Sequence, residues 1–220
     1  MSVVAPTLRL ERSLLKQEFD VIIALDEVGR GALAGPVAVG AAVIDATCSR
    51  RRVPDGLRDS KLITERRRPE MAARAAGWVP ASAVGWASAA EVDASGIMCA
   101  LGLAASRAVQ AVVDQGAALD RAVVILDGNH DYLSRVHPDP LVVRTVIKGD
   151  RDCASVSAAS VIAKVARDGL MAELHPQHPA YQWDRNKGYA SAEHRRAIRE
   201  QGLSPLHRAS WSIADAPTLF

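Results

Sequence analysis

Two carboxylates stand side by side at Asp26 and Glu27, after an apolar run (VIIAL, 21 to 25) and directly before a glycine–arginine–glycine turn. Two more acids occupy similar places. Asp127 follows the apolar residues of ILDG at 125 to 128, and Asp150 closes IKGD at 147 to 150. Carboxylates act chiefly as solvating groups, helix caps or cation ligands, and the apolar run feeding the first pair makes solvation the weakest of these. Open sheets place ligand sites beyond strand ends. Acids gathered there repel one another unless a cation neutralises them. Hard oxygen donors of this kind suit Mg2+ or Mn2+ rather than zinc. Singly, each acid has a plainer use: Asp127 as a turn residue before Gly128, Asp150 or Asp152 as a helix cap, and Asp168 as the surface ion-pair partner of Lys164, four residues before it. Their joint recurrence at three strand ends favours the cation.

Neighbouring residues of a pleated strand point to opposite faces, so Asp26 and Glu27 cannot share a site from a regular strand. If the strand stops at Asp26, Glu27 belongs to the turn and can swing round. Gly29 and Gly31 would then let the backbone approach a ligand with its amides free.

The elements that must position these groups follow from periodicity. DVIIALD, PVAVGAAVI (36 to 44), the region 77 to 88, AVVILDG (122 to 128) and LVVRTVIKGD (141 to 150) read as five strands, the fourth buried on both faces. Helices are expected at the loosely apolar first 18 residues, after Thr64 as N-cap, from Ser95 to about Gln115, from Ala154 to Leu174 and around SAEHRRAIREQG. Strands first, then helices alternating with strands, predict an α/β fold: a mixed sheet flanked by helices, with a small helical C-terminal extension. The expected organisation is an arm or short helix at 1–18, a catalytic domain at 19–175, and an extension at 176–220 packed on it.

The chain has 220 residues, 49% hydrophobic and 24% charged, which is ordinary globular composition. No run approaches the ~20 apolar residues of a membrane span and no secretory signal opens the chain, so a cytoplasmic protein is expected. Cys48, Cys99 and Cys153 are widely spaced and suit small buried hydrophobes, not disulfides or zinc. Net charge is only +2, but Lys and Arg outnumber acids nine to four over 50–74 and eleven to seven over 144–208. Basic segments of this kind can track a phosphate backbone or form solvated faces. His175 and His178, in HPQHP, read as exposed loop histidines.

ALDEVGRGALAGPV resembles the opening motif of the type 2 ribonucleases H, the prokaryotic ribonuclease HII class. The likeness continues in order through LRDSKLI (57 to 63), ILDG, VIKGD, SAASVIAKVARD (157 to 168), NKGYASAEH (186 to 194) and HRASW (207 to 211). The resemblance implies a ribonuclease H-like fold in which Asp26, Glu27, Asp127 and Asp150 bind divalent metal. Two ions, Mg2+ or Mn2+, would drive hydrolysis of the RNA strand of an RNA–DNA hybrid, leaving 5′-phosphate and 3′-hydroxyl ends. Gly29, Arg30 and Gly31 match the segment that meets the ribose 2′-hydroxyl, the group that tells RNA from DNA. Tyr189 matches the tyrosine that stacks on the next, deoxy, sugar, which allows cutting at a single ribonucleotide embedded in DNA. Lys61, Lys148 and Lys187 lie in matched motifs and are expected on the substrate, and His194 and His207 in structural or phosphate-side roles.

The series departs from the family pattern at Val28 (usually alanine), Leu62 (commonly lysine), in a longer stretch at 129–140, and at Trp211 (usually phenylalanine). An extra loop near the site and a core exchange at 211 are the expected results. The protein is expected to be a monomer, for want of a coiled-coil or a large apolar stripe. A junction nuclease of the same fold would use the same acids without needing the 2′-hydroxyl contact. A non-catalytic hybrid-binding protein would gain nothing from unneutralised acids against a polyanion.

Overall fold

A strand as apolar as VIIAL needs covering on both faces, and it finds that at the centre of a sheet. The computed structural model describes residues 5–211. Strand β1 (Val21–Val28) lies between β2 (Val37–Asp45), antiparallel to it, and β4 (Ala122–Asp127), parallel to it. The sheet is completed by β3 (Ser82–Ala87) beyond β2 and β5 (Val142–Val146) beyond β4, giving the order β3-β2-β1-β4-β5. It is the mixed sheet flanked by helices that the pattern predicted.

Alternation along the strands sorts the two faces. Ile22, Ala24, Val123 and Ile125 pack beneath α1 (Arg9–Gln17), α2 (Arg68–Trp78) and α6 (Ala154–Leu174). Ile23, Leu25, Val124 and Leu126 pack on the other face against α4 (Ile97–Val113). The fourth strand is buried throughout its apolar part, as expected of a strand covered on both sides. Helix α6 lies very close to β2 at Gly40, where a Cβ would come within 2.3 Å of the Ala159 carbonyl oxygen. The small residues Ala158, Ala159 and Ser160, all buried, permit that approach.

Several local expectations need correction. The helix read from Ser95 to about Gln115 is α4, and it is preceded by a short helix the sequence reading did not anticipate, α3 (Ala89–Ser95), from which Gly96 at φ +79° divides it. A capping box between Ser88 and Glu91 starts α3 two turns before the apolar periodicity begins. Thr64 makes no side-chain cap; a short 3-10 turn, Glu65–Arg67, precedes α2, which carries Pro69 in its first turn. The fifth strand ends at Val146, not at Asp150. The chain turns through Lys148, at φ +62°, into the short helix α5 (Gly149–Asp152), so Asp150 is presented by a helix. Of the cysteines, Cys48 and Cys153 are buried as expected, but Cys99 is exposed.

After α6 the chain forms α7 (Trp183–Asn186) and α8 (Ala192–Gln201). Trp183, Tyr181, Ala197 and Ile198 close a third apolar cluster with Met171 and with Leu33 and Ala34 of the β1–β2 link. Trp183 is fully buried, and truncating such a side chain costs roughly 3–5 kcal/mol. The C-terminal helices are thus fastened to the link that follows Asp26 and Glu27. No helix among the described residues is long and apolar enough to cross a membrane. The segment SIADAPTLF (212–220), left open as disordered or docked elsewhere, lies outside the described residues.

Candidate active site

Register brings the first acids together. Leu25 pairs with Leu126 across the parallel β1–β4 ladder, so Asp26 and Asp127 occupy the next rung, on the face that carries Ala24 and Ile125. Glu27 does not leave the pleat as expected: β1 continues to Val28, with Glu27 paired to Val39. The two acids nonetheless border one cleft at the strand end, of about 420 Å³, together with Gly29, Arg30, Gly31, Lys61 and Tyr189. Asp150 joins from α5, its backbone N–H donating to Asp127 Oδ1 at 3.1 Å.

The charges in this group oppose one another. Burial, then the neighbouring Asp127, Glu27 and Asp150, hold the Asp26 carboxyl well above the usual range, against the lowering effect of the Ser160 hydroxyl. Burial and Asp127 also raise Glu27, with Arg30 acting against them. Burial, Asp127 and Asp59 raise Asp150, with Lys61 opposing. Lys61 would be lowered by its own burial, but Asp59, Asp150 and Asp26 more than offset that and raise it. A cluster in this condition takes up protons or cations.

Each carboxylate has a separate partner as it stands. Asp150 Oδ2 lies 3.4 Å from Lys61 Nζ, and Glu27 Oε1 3.7 Å from Arg30 Nη1. Among the described residues no three His, Cys, Asp or Glu side chains are gathered tightly enough to hold an ion without rotating. The donors are all carboxylate oxygens, the chemistry a hard cation requires, and side-chain rotation of Glu27 and Asp150 away from Arg30 and Lys61 is the adjustment it would need.

The turn beside the acids is unusually constrained. Gly29 sits at φ +83°, and a Cβ there would fall 2.0 Å from Arg167 Nε. Its N–H donates to the Tyr189 hydroxyl at 3.2 Å. Tyr189 is held by its own neighbours: Arg167 lies 5.4 Å and Lys164 5.9 Å from its ring centre. The amides of Arg30 and Gly31 have no acceptor among the described residues, and the side of Gly31 where a Cβ would project is open.

Residues 23–214 match the family model described as Ribonuclease HII. The chain belongs to the ribonuclease HII family. That membership makes it a hydrolytic endoribonuclease. A relative named Ribonuclease HII from Streptomyces avermitilis is 49% identical over 212 residues, spanning 96% of this chain and 85% of its own length. Among solved structures, ribonuclease H2 from Pyrococcus horikoshii superposes with a TM-score of 0.69 at 25% identity, over 88% of this chain and 95% of that one. Bst-RNase HIII in complex with Mn2+ gives 0.67, also at 25% identity, over 91% and 70%.

Within this ribonuclease HII chain the expected lysines divide. Lys61 borders the cleft. Lys148 is exposed on the turn after β5, outside the cleft lining. Lys187 is turned away: its ammonium bonds the Asp184 carbonyl and lies 3.5 Å from Glu65 Oε1. Four residues that line the cleft were not among the expected site residues: Val28, Ser60, Ser160 and Lys164. Ser60 and Ser160 bond each other at 3.0 Å, and their signal was their place inside the DSK and SAAS motifs. Lys164 makes the expected ion pair with Asp168 at 2.8 Å and also borders the cleft.

His194 and His207 are structural. Both are buried with their Nε2 atoms 3.0 Å apart. His194 Nδ1 is 2.8 Å from the Tyr189 carbonyl, so this nitrogen carries the proton, and His207 Nδ1 accepts the Ser204 N–H. Both rings are therefore neutral, with His207 Nε2–H donating to His194 Nε2. His178 is half-buried, not exposed, with its ring 5.1 Å from that of Trp183, and His175 is also half-buried, 3.4 Å from Asp184. The 129–140 stretch folds onto α4: Tyr132 and Leu133 are buried, and Ser106 bonds His137 at 2.9 Å. Burial, with Glu27, Asp26 and Asp127 adding to it, raises the Tyr132 phenol, but no residue of this stretch lines the cleft. Trp211, expected as a core exchange, is instead half-buried at the edge of two clusters, with the Arg208 guanidinium 4.8 Å from its ring centre.

Proposed function

We propose that this protein hydrolyses the RNA strand of RNA–DNA hybrids and cuts on the 5′ side of single ribonucleotides embedded in duplex DNA. In this reading Asp26, Glu27, Asp127 and Asp150 hold Mg2+ or Mn2+, two ions during turnover. The ions supply activation of water and stabilisation of the leaving 3′ oxygen, giving 5′-phosphate and 3′-hydroxyl products. The protein acts as a cytoplasmic monomer. Gly29, Arg30 and Gly31 meet the ribose 2′-hydroxyl through their backbone, Tyr189 stacks on the following sugar, and Lys61, with Lys148 further out, faces the phosphates.

One observation carries the reading: repelling acids and two backbone amides with no acceptor among the described residues border the same cleft, with Tyr189 bonded to the turn between them. A hydroxyl can both accept from and donate to such groups, whereas a deoxyribose offers nothing there. A junction nuclease would have no use for that arrangement. The test is cleavage of a DNA duplex carrying one ribonucleotide, with Mg2+ or Mn2+ and with EDTA. A metal-dependent nick 5′ to the ribonucleotide is expected. Cleavage only within longer RNA tracts would overturn the junction part, and no cleavage by folded protein with either metal would overturn the metal assignment.

A further inference from the structure

Arg208 is fully buried, with 0% exposure, and so cannot touch nucleic acid. Whatever it contributes passes through its contacts, and those are concentrated on one turn. Its Nη2 donates to the Gly29 carbonyl at 2.6 Å and to the Gly35 carbonyl at 3.2 Å, and its Nη1 to the Arg30 carbonyl at 2.8 Å. Its backbone N–H donates to the Leu33 carbonyl at 2.9 Å. The planar guanidinium thus grips both ends of the β1–β2 link, which a lysine, with one point charge on a flexible stem, cannot do.

Peptide planarity converts this grip into a statement about the cleft. The Gly29 carbonyl and the Arg30 N–H belong to one rigid unit and point in opposite directions, as do the Arg30 carbonyl and the Gly31 N–H. Fixing the two carbonyls toward Arg208 therefore fixes the two amides away from it. These are the amides that lack an acceptor among the described residues and that belong to the cleft-lining residues. The segment carrying Arg208 is itself anchored. Asp93 on α3 accepts the N–H of Ala209 at 2.8 Å, the N–H of Ser210 at 3.0 Å and the Ser210 hydroxyl at 2.5 Å.

We propose that Arg208 is a positioning residue for ribose recognition: it aims the Arg30 and Gly31 amides at the 2′-hydroxyl, and Asp93 holds it in place from α3. The inference rests on the reading that this turn meets the ribose. Residues far apart in sequence, Asp93 and Arg208, then set the selectivity of a turn at 29–31.

The test uses the full chain carrying Asp127→Asn to block turnover, and two DNA duplexes that differ by a single 2′-hydroxyl. The parent should bind the ribonucleotide duplex about tenfold more tightly, the scale of one or two hydrogen bonds. Adding Arg208→Lys should bring that ratio close to one while affinity for the all-DNA duplex stays as it was. Asp93→Ala should lower the ratio in the same direction but less, and it serves as the test should Arg208→Lys not fold. With Asp127 intact, Arg208→Lys should slow single-turnover cleavage at the ribonucleotide about 100-fold, the effect of a small misplacement. An unchanged ratio, or equal loss of affinity for both duplexes, overturns the positioning role. A parent that shows no preference overturns the ribose reading itself, and the role of Arg208 with it.

Discussion

The Tyr189 hydroxyl accepts the Gly29 N–H at 3.2 Å, joining two residues 160 positions apart in the chain. This bond couples the aromatic side chain to the turn that adjoins Asp26 and Glu27. It also explains why the C-terminal helices are packed where they are: Gly188, next to Tyr189, accepts the N–H groups of Leu33 and Ala34.

Replacing Tyr189 separates its two uses. Tyr189→Phe keeps the ring and loses the acceptor, so cleavage at a single ribonucleotide should slow about tenfold, the scale of one hydrogen bond. Tyr189→Ala also loses the stacking surface and should slow it by roughly a further tenfold to 100-fold. Single-turnover rates on a one-ribonucleotide duplex decide this, and equal rates for the two variants would refute the division.

Gly29 and Gly31 should respond differently to alanine. At Gly29 the positive φ and the overlap with Arg167 add strain of roughly 1–3 kcal/mol from the backbone alone. At Gly31 an added Cβ would meet nothing within 4 Å among the described residues, so Gly31→Ala should change stability by less than about 1 kcal/mol. Urea unfolding of both variants measures the contrast, and comparable losses would contradict the packing described.

Removing one of the repelling acids should separate chemistry from stability. Asp127→Asn is expected to reduce cleavage by at least about 10³-fold, consistent with several kcal/mol of transition-state stabilisation, while hybrid binding is retained. It should also raise the melting temperature in EDTA, because Asp127 raises the carboxyls of Asp26, Glu27 and Asp150 by repulsion. Asparagine keeps an oxygen that can accept the Asp150 N–H, so a variant that is less stable in EDTA would overturn the repulsion described.

The same raised acids give a pH dependence of definite sign. Between the ordinary carboxylate range and their raised values, the folded protein holds more protons than the unfolded chain. Stability in EDTA should therefore fall as pH rises out of that ordinary range, near 3.8 for Asp and 4.5 for Glu. Mg2+ or Mn2+ should offset the loss, by binding the ionised folded form. Melting temperatures across pH, with and without the ion, test both halves.

The histidine pair acts at the acid side with the opposite sign. Burial and the adjacent His194 lower His207 from 6.5 to about 4, and burial lowers His194 as well. A depressed histidine favours the folded state above its unfolded pKa, and this advantage is lost as pH falls from 6.5 towards 4. For His207 alone the loss is roughly 3 kcal/mol. Tryptophan fluorescence of Trp183, packed 5.7 Å from the His207 ring, should report loosening of the C-terminal helices over that range. A flat signal there would mean the pair is not held neutral.

The strands, the helix faces and the four acids were legible because they are local properties: period-two and helical apolar spacing decide which face is covered, and short motifs mark the turns. The route by which Asp150 arrives was not. A left-handed turn at Lys148 and the four-residue helix after it leave no apolar period, so the acid seemed to end a strand. Glu27 was expected to leave the pleat, since sequence alone cannot show that β2 continues to pair with β1 past Asp26. Lys187 looked like a substrate lysine, yet Glu65 and the Asp184 carbonyl take its ammonium, partners set by how remote segments pack. The same holds for Arg208 and Arg167, whose guanidinium groups meet carbonyls more than 100 residues away. The sequence by itself determined the chemistry available, since carboxylate, amide and phenol are properties of residue type. Only the tertiary structure decided which of these groups share one cleft, because that depends on the register between β1 and β4 and on the C-terminal segment folding back over the turn at Gly29.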